Sequence, residues 1–95
     1  MNDITYNIDG IEYTLIEEVG EWDYSWHIGA LLRDPDGGLW YTTNSGCSCY
    51  SFGDYLKKGV QVKSWQEAVD LAKEDFADNE VATFAERLMA WSRPA

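Results

Sequence analysis

Residues 4–15 place the strongest constraint on how this chain can fold. Large apolar side chains alternate with polar ones on both sides of Asp9-Gly10. An Asp-Gly pair tolerates the two positive φ angles of a type I′ turn, whose twist matches that of the flanking strands. A two-residue loop also sets the register, so the pattern predicts a hairpin with its large side chains on one face. The predicted facing pairs are Ile8 with Ile11, Tyr6 with Tyr13, and Ile4 with Leu15.

A second hairpin is predicted further along the chain. Residues 17–23 read as a charged connection around Gly20, and residues 22–33 as a long, mostly apolar strand. That strand ends at a turn of residues 34–38, where proline and glycine occupy positions that suit them. Residues 39–45 then return as the partner strand.

The register of this second hairpin depends on the type of its turn. If Asp36-Gly37 closes a type I turn with a bulge, Leu32 faces Trp40 and His27 faces Ser45. A slip by one residue stays open, because both faces of the hairpin carry apolar residues.

The C-terminal third has the pattern of helices. Residues 46–59 read as irregular, with one helical turn near 54–57, and residues 60–63 as a short edge strand. Ser64 and Glu67 form a capping box. The apolar stripe changes phase at residues 77–79, which predicts either a break capped by Asp78 or Asn79, or one helix that buries two faces. The two stripes are Trp65, Ala68, Val69, Ala72 and Phe76, and then Val81, Phe84, Ala85, Leu88 and Trp91.

Strands that precede helices indicate an α+β fold. We expect an antiparallel sheet of two N-terminal hairpins, with four or five strands, covered on one face by one or two C-terminal helices. A chain of 95 residues has room for one core, so residues 1–95 are predicted to form a single domain.

Charge is distributed unevenly along the chain. The net charge is −10, and ten of the 17 acidic residues lie in the first 56 positions, where Arg33 is the single base. A chain with this charge is not expected to bind nucleic acid or an anionic membrane, and it could bind a basic protein surface. The candidate binding residues are Glu17, Glu18, Glu21, Asp23, Asp34 and Asp36.

Two interpretations of this acidic set remain open. Net charge alone keeps a small domain soluble. Alternatively, strand residues two apart are separated by ~6.7 Å, comparable with phosphate spacing along a nucleic-acid strand. Glu21 and Asp23 therefore fit nucleic-acid mimicry against a basic partner.

Gly46-Cys47-Ser48-Cys49 is the most unusual local motif. Cys47, Cys49 and His27, completed by Asp54 or a water, are weak candidate zinc ligands, because structural zinc favours two to four residues between cysteines. A Cys47–His27 nucleophile is disfavoured, since acidic surroundings oppose a thiolate. No phosphate-binding, dinucleotide or hydrolase motif is present. We therefore expect buried inert thiols, no cofactor and no enzymatic activity.

The location of the protein is predicted from what its sequence lacks. The N-terminus has no signal-peptide pattern, and no apolar run approaches the ~20 residues that span a bilayer. Two cysteines this close do not form a secreted disulfide framework. A cytoplasmic protein with reduced thiols is expected. The surplus of tryptophan and tyrosine also fits a homodimer face.

Residues 39–49, Leu-Trp-Tyr-Thr-Thr-Asn-Ser-Gly-Cys-Ser-Cys, resemble a segment of short actinobacterial and actinophage proteins of unknown function. In those proteins an Asp- and Gly-containing turn precedes the aromatic strand, as residues 34–38 do here. The resemblance implies a small, phage-encoded accessory protein and carries over no functional residue. Inhibition of a host protein is expected by analogy with such accessory proteins. The leading hypothesis is thus a non-enzymatic protein-binding module with an acidic hairpin surface. A zinc module and a self-associating structural protein are the alternatives.

Overall fold

The computed structural model describes residues 3–21, 25–47, 52 and 56–93. Five antiparallel strands form one sheet in the order β1-β2-β3-β4-β5, and two helices follow. This arrangement confirms the predicted α+β fold. The elements are β1 (Thr5–Ile8), β2 (Ile11–Glu21), β3 (Ser25–Arg33), β4 (Leu39–Cys47), β5 (Val60–Val62), α1 (Trp65–Ala72) and α2 (Asp78–Ser92).

The first hairpin has the predicted turn and register. Asp9 and Gly10 have φ angles of 53° and 83°, and Ile8 pairs with Ile11 while Tyr6 pairs with Tyr13. The pairing continues beyond β1, because the Leu15 amide donates to the Ile4 carbonyl over 2.8 Å.

Strand β2 is longer than predicted. The sequence predicted a charged connection at residues 17–23. This prediction is wrong for residues 17–21, which continue β2 to Glu21. A β-bulge between Leu15 and Glu17 shifts the register against β3. Because the bulge inserts Ile16 as an extra residue, the alternation of apolar and polar residues is broken there, and the segment does not look like a strand in sequence.

The bulged alternative for the second hairpin is confirmed. Leu32 pairs with Trp40 and His27 pairs with Ser45. β3 is the central strand and is buried on both faces, with Ile28, Ala30, Leu31 and Leu32 at 0% exposure. The described part of this strand begins at Ser25; residues 22–24, where the sequence placed its start, lie outside the described residues.

Two apolar clusters lie on opposite faces of the sheet. On the helix face, Val19, Leu31 and Tyr41 pack against α1 and α2. On the other face, strand residues such as Trp26 and Ile28 pack with Phe52 and Leu56 from the segment after β4. Tyr6 of β1 meets the Phe52 ring edge-on at 5.3 Å. The helices cover one face, as predicted, and part of the chain between β4 and β5 packs on the other.

The helical region contains a break, which was one of the two predicted alternatives. Ser64 caps α1, since its side chain accepts a hydrogen bond from the Glu67 amide. The cap of α2 was predicted wrongly: it is Ala77, not Asp78 or Asn79. The Glu80 carboxylate accepts from the Ala77 amide over 3.2 Å. Asp78 is the first residue of α2, and a negative charge is stabilised at the N-terminus of a helix.

The connection to α1 agrees with prediction where it is described. β5 pairs with β4 at the edge of the sheet, as expected for residues 60–63. The helical turn expected near residues 54–57 falls largely outside the described residues. Within the described chain, no helix is long and apolar enough to cross a membrane.

Candidate acidic docking site

Glu17 and Glu18, two of the predicted binding residues, lie on opposite faces of the sheet. Glu17 is paired with Leu31 and faces the helices, where its carboxylate lies 3.6 Å from the Arg87 guanidinium. Glu18 is paired with Ala30, on the other face. Burial, and secondarily the Glu18 charge, raises the pKa of Tyr6. These two neighbours therefore cannot contact one flat partner surface together.

The other predicted carboxylates are separated along the sheet. Glu21 is opposite His27 near one end of β3, whereas Asp34 and Asp36 lie in the turn at the other end. Seven residues of extended chain between positions 27 and 34 span ~23 Å. Asp23 lies outside the described residues. The described members of the predicted set do not form one continuous surface.

Asp34 is held by its own turn. Its carboxylate accepts hydrogen bonds from the Asp36 amide (2.9 Å), the Gly38 amide (2.8 Å) and the Trp40 indole N–H (2.9 Å). These bonds, with the one from Trp40 the largest cause, lower the pKa of Asp34 from its ordinary value. The side chain therefore has a structural role in closing the hairpin.

The structure groups a different set of carboxylates, which we call the acidic pole: Glu21, Glu74, Asp75, Asp78 and Glu80. Glu21 ends β2, and the other four lie between the end of α1 and the first turn of α2. The sequence signal for this set is four acids and no base within residues 74–80. The overall charge of residues 57–95 hides this cluster, because that segment carries seven acids and six bases.

Phe76 fixes the acidic pole against the sheet. Its ring lies over Gly20 and Gly29, where an added Cβ would approach it to 2.9 Å and 3.0 Å. The ring also stacks on His27, with centroids 4.8 Å apart and planes 18° from parallel. Because two glycines leave room for this ring, the turn between the helices lies directly on β2 and β3, and its carboxylates come close to Glu21.

Two grooves share Asp75, and Phe76 lines the first of them. The first is about 220 Å³ and is lined by Glu21, Ser25, His27, Asp75, Phe76 and Glu80. The second is about 320 Å³ and lies between α1 and the β4–β5 edge, with Tyr41, Gly59, Val60, Leu71, Glu74 and Asp75 among its lining residues. Three carboxylates from three segments thus border the first groove, and two adjacent ones border the second.

Little of this negative charge is neutralised by the bases nearby. Lys73 lies 3.4 Å from Asp70, and Arg87 pairs with Glu17. Asp70 and Glu17 do not belong to the acidic pole. Lys57 lines the second groove on the side of β4. Among the residues the structure describes, the two ion pairs leave all five carboxylates of the pole without a salt bridge.

The structure brings together only part of the predicted zinc site. The backbone register places Cys47 opposite Ser25, two residues along β4 from the partner of His27. Cys49, Asp54 and the Cys47 side chain lie outside the described residues. Among the described residues, no group of three His, Cys, Asp or Glu side chains is arranged to hold a metal ion.

Comparison with known proteins identifies no relative. No protein-family model, curated protein or solved structure matches the chain. The resemblance of residues 39–49 to short actinophage proteins therefore stays a prediction, and functional inference depends on the site itself.

Proposed function

We propose that this protein is a non-catalytic module that binds a basic segment of a partner protein through the acidic pole. The observation that carries the proposal is the groove at Phe76, bordered by Glu21, Asp75 and Glu80. The proposal keeps the predicted partner, a basic protein surface, and moves the contact from the hairpins to the junction between the helices.

Electrostatics and geometry both favour a cationic ligand there. Carboxylates from different elements are held near one another, and no described base forms a salt bridge with them, so their potentials add. The exposed His27 ring, stacked on Phe76, provides a flat floor beside them. An arginine side chain suits such a site, because its planar guanidinium stacks on rings and donates to carboxylates.

A matched pair of triple variants tests the proposal. The site variant is Glu21→Gln, Asp75→Asn, Glu80→Gln, and glutamine keeps the oxygen that accepts from the Ala77 amide. The control, Glu12→Gln, Asp36→Asn, Glu86→Gln, removes the same charge from exposed positions outside the pole. Binding of a fluorescent acetyl-tetra-arginine amide is measured by anisotropy.

The site variant should bind the peptide at least about tenfold more weakly than the wild type, while the control changes affinity by about twofold or less, because close charges dominate over screened distant ones. Wild-type affinity should fall steeply as salt rises from about 20 mM to about 200 mM. Equal losses in the two variants would show that net charge, and not this site, attracts the peptide.

The narrower form of the proposal is inhibition of a host protein, and it is supported by the resemblance of residues 39–49. If it holds, expression in an actinobacterial host should slow growth, and the site variant should relieve the effect while the control does not. Growth unaffected by the wild-type protein would remove this narrower form and leave peptide binding intact.

A zinc module is the second candidate, and the confirmed register of His27 and Ser45 favours it. Metal analysis of the purified protein should then show one zinc per monomer or per dimer, lost in a His27→Ala, Cys47→Ser variant. A substoichiometric metal content in the wild-type protein would exclude this function.

A further inference from the structure

The two edges of the sheet carry opposite charge. β1 lies at one edge, and residues 1–12 contain three acids and no base. β5 lies at the other edge, and residues 57–63 contain three lysines and no acid. Asp3 and Asp9 flank β1, whereas Lys58 and Lys63 flank β5. One molecule therefore has an acidic edge and a basic edge.

β1 leaves part of its backbone open to a further strand. Within the described residues, β1 pairs with β2 alone. The Leu15 amide donates to the Ile4 carbonyl, so Ile4 directs its backbone groups toward β2. Because this direction alternates along an antiparallel strand, Thr5 and Asn7 direct their N–H and C=O groups outward. Both residues are exposed.

β5 leaves the backbone of Gln61 open in the same way. The hydrogen bond between positions 34 and 38 at the start of the β3–β4 ladder sets the alternation along β4, so Leu39 and Tyr41 direct their backbone groups toward β5. These residues pair with Val62 and Val60. Gln61, which lies between the two valines and is exposed, therefore directs its N–H and C=O groups outward.

From these two edges we infer that copies of the protein associate with one another, with β1 of one molecule paired antiparallel to β5 of the next. When Thr5 lies opposite Gln61, the open backbone groups of the two strands meet. In that register residues 3 and 9 lie opposite residues 63 and 57, so each acid faces a lysine. This inference does not depend on the proposed function.

The same register covers two exposed apolar side chains. Ile4 is 56% exposed and Val60 is 55% exposed. Val60 of one copy lies opposite Tyr6 of the next, and Ile4 lies two residues further along the same face, since side chains alternate between the faces of a sheet. Charge, backbone groups and apolar surface are therefore all matched by a single alignment.

Pairing of like edges is disfavoured. Two β1 strands with Thr5 opposite Asn7 would bring Asp3 of one copy opposite Asp9 of the other, and like charges opposite each other destabilise a sheet. Two β5 strands would bring lysines together, and lysine at an edge commonly prevents such pairing. Unlike edges therefore attract where like edges repel.

The net charge of −10 opposes association at long range and does not cancel these contacts. At ~0.15 M salt the screening length is ~8 Å, so charges in contact across the edges outweigh distant carboxylates. Because two different surfaces are joined, the contact is heterologous, and every added molecule still offers a free edge. The expected assembly is a series of increasing size and not a closed dimer.

Sedimentation equilibrium of the full chain at ~0.15 M salt tests self-association. Strands this short make a small interface, so the weight-average mass should rise above the 10.8 kDa of the monomer between about 10 µM and about 1 mM protein. A mass that stays at the monomer value up to about 1 mM would overturn the inference.

Two proline variants identify the edges. Thr5→Pro removes an outward N–H from β1, and Gln61→Pro removes one from β5; proline is tolerated in edge strands where the N–H faces solvent. Each variant alone should stay monomeric, because one of its two edges is blocked. An equimolar mixture should form a 1:1 complex and nothing larger, since one variant supplies β5 and the other supplies β1.

Other results with the proline variants would contradict this pairing. Association of Gln61→Pro alone would indicate contact between two β1 edges. Association of both variants at the wild-type level would indicate a different surface, such as an aromatic face. A mixture that contains only monomers would show that the two edges do not bind each other.

Charge reversal tests the same contact without a change in the backbone, and it decides the matter if circular dichroism shows that a proline variant does not fold. Lys63→Glu should weaken association by about fivefold or more, whereas the same charge change at the exposed end of α2, Arg93→Glu, should alter it by about twofold or less. A mixture of Lys63→Glu with Asp3→Lys should regain association, because the reversed charges match. Equal losses in Lys63→Glu and Arg93→Glu would overturn the inference, since net charge alone would then explain them.

Discussion

The Asp34 carboxylate accepts three hydrogen bonds inside its own hairpin, one of them from the Trp40 indole. At the residue scale, this side chain and Glu21 look alike in sequence, since both are acids at strand ends. The Asp34 carboxylate is hydrogen-bonded within its own turn, whereas Glu21 borders an open groove. Charge by itself does not separate these roles, and the hydrogen bonds do.

Asp34 should make stability depend on pH in the acidic range. Its folded-state pKa is lowered from 3.8, so its contribution is present above the unfolded value and is lost as pH falls through the folded one. Thermal unfolding between about pH 6 and about pH 3 should show a steeper loss for the wild type than for Asp34→Asn. Asp36→Asn, an exposed change in the same turn, should follow the wild type. Parallel curves for all three proteins would contradict this role.

Replacing Gly29 by alanine should destabilise the protein. In Gly29→Ala the new Cβ would lie 2.5 Å from the Tyr41 hydroxyl and 3.0 Å from Phe76, so we expect a loss of about 1–3 kcal/mol in the free energy of unfolding. Urea denaturation measures this. In the Tyr41→Phe background the loss should be smaller, because the closest atom is gone. An identical loss in both backgrounds would mean that the hydroxyl is not the obstacle.

At the element scale, the parts that sequence predicted are those determined by local chemistry. Asp9-Gly10 sets the first hairpin, Asp36-Gly37 the second, and Ser64 with Glu67 the start of α1. The parts that it missed depend on contacts distant in sequence. The bulge at Ile16 lies in the part of β2 that pairs with β3. The break before α2 lies beside Phe76, whose ring packs on Gly20 and Gly29.

The capping interaction at Ser64 should stabilise α1 measurably. Ser64→Ala removes the oxygen that accepts from the Glu67 amide and should cost about 1 kcal/mol. Ser92→Ala at the exposed end of α2 is the control and should change stability by about 0.5 kcal/mol or less. Chemical denaturation with unchanged m-value would show the effect to be on stability alone. No difference between the two variants would mean that the cap is not needed.

At the scale of the whole molecule, the acidic pole arises where three elements end. β2 ends at Glu21, α1 ends at Ala72, and α2 begins at Asp78, all near the ring of Phe76. The sequence showed the acids of residues 74–80 but could not place them beside Glu21, since that proximity depends on how the helices pack on the sheet. The acidic character of the candidate site was therefore predictable from the sequence, and its position was not.

Binding at the acidic pole can be mapped by an NMR titration of the ¹⁵N-labelled protein with acetyl-tetra-arginine amide, which reports on every backbone amide at once. If the peptide binds at the acidic pole, the largest chemical-shift changes should fall on Glu21, His27 and residues 74–80, and these changes should shrink as salt is added. Changes concentrated on the turns at residues 9–10 and 34–38, or spread evenly over all exposed carboxylates, would contradict binding at this site.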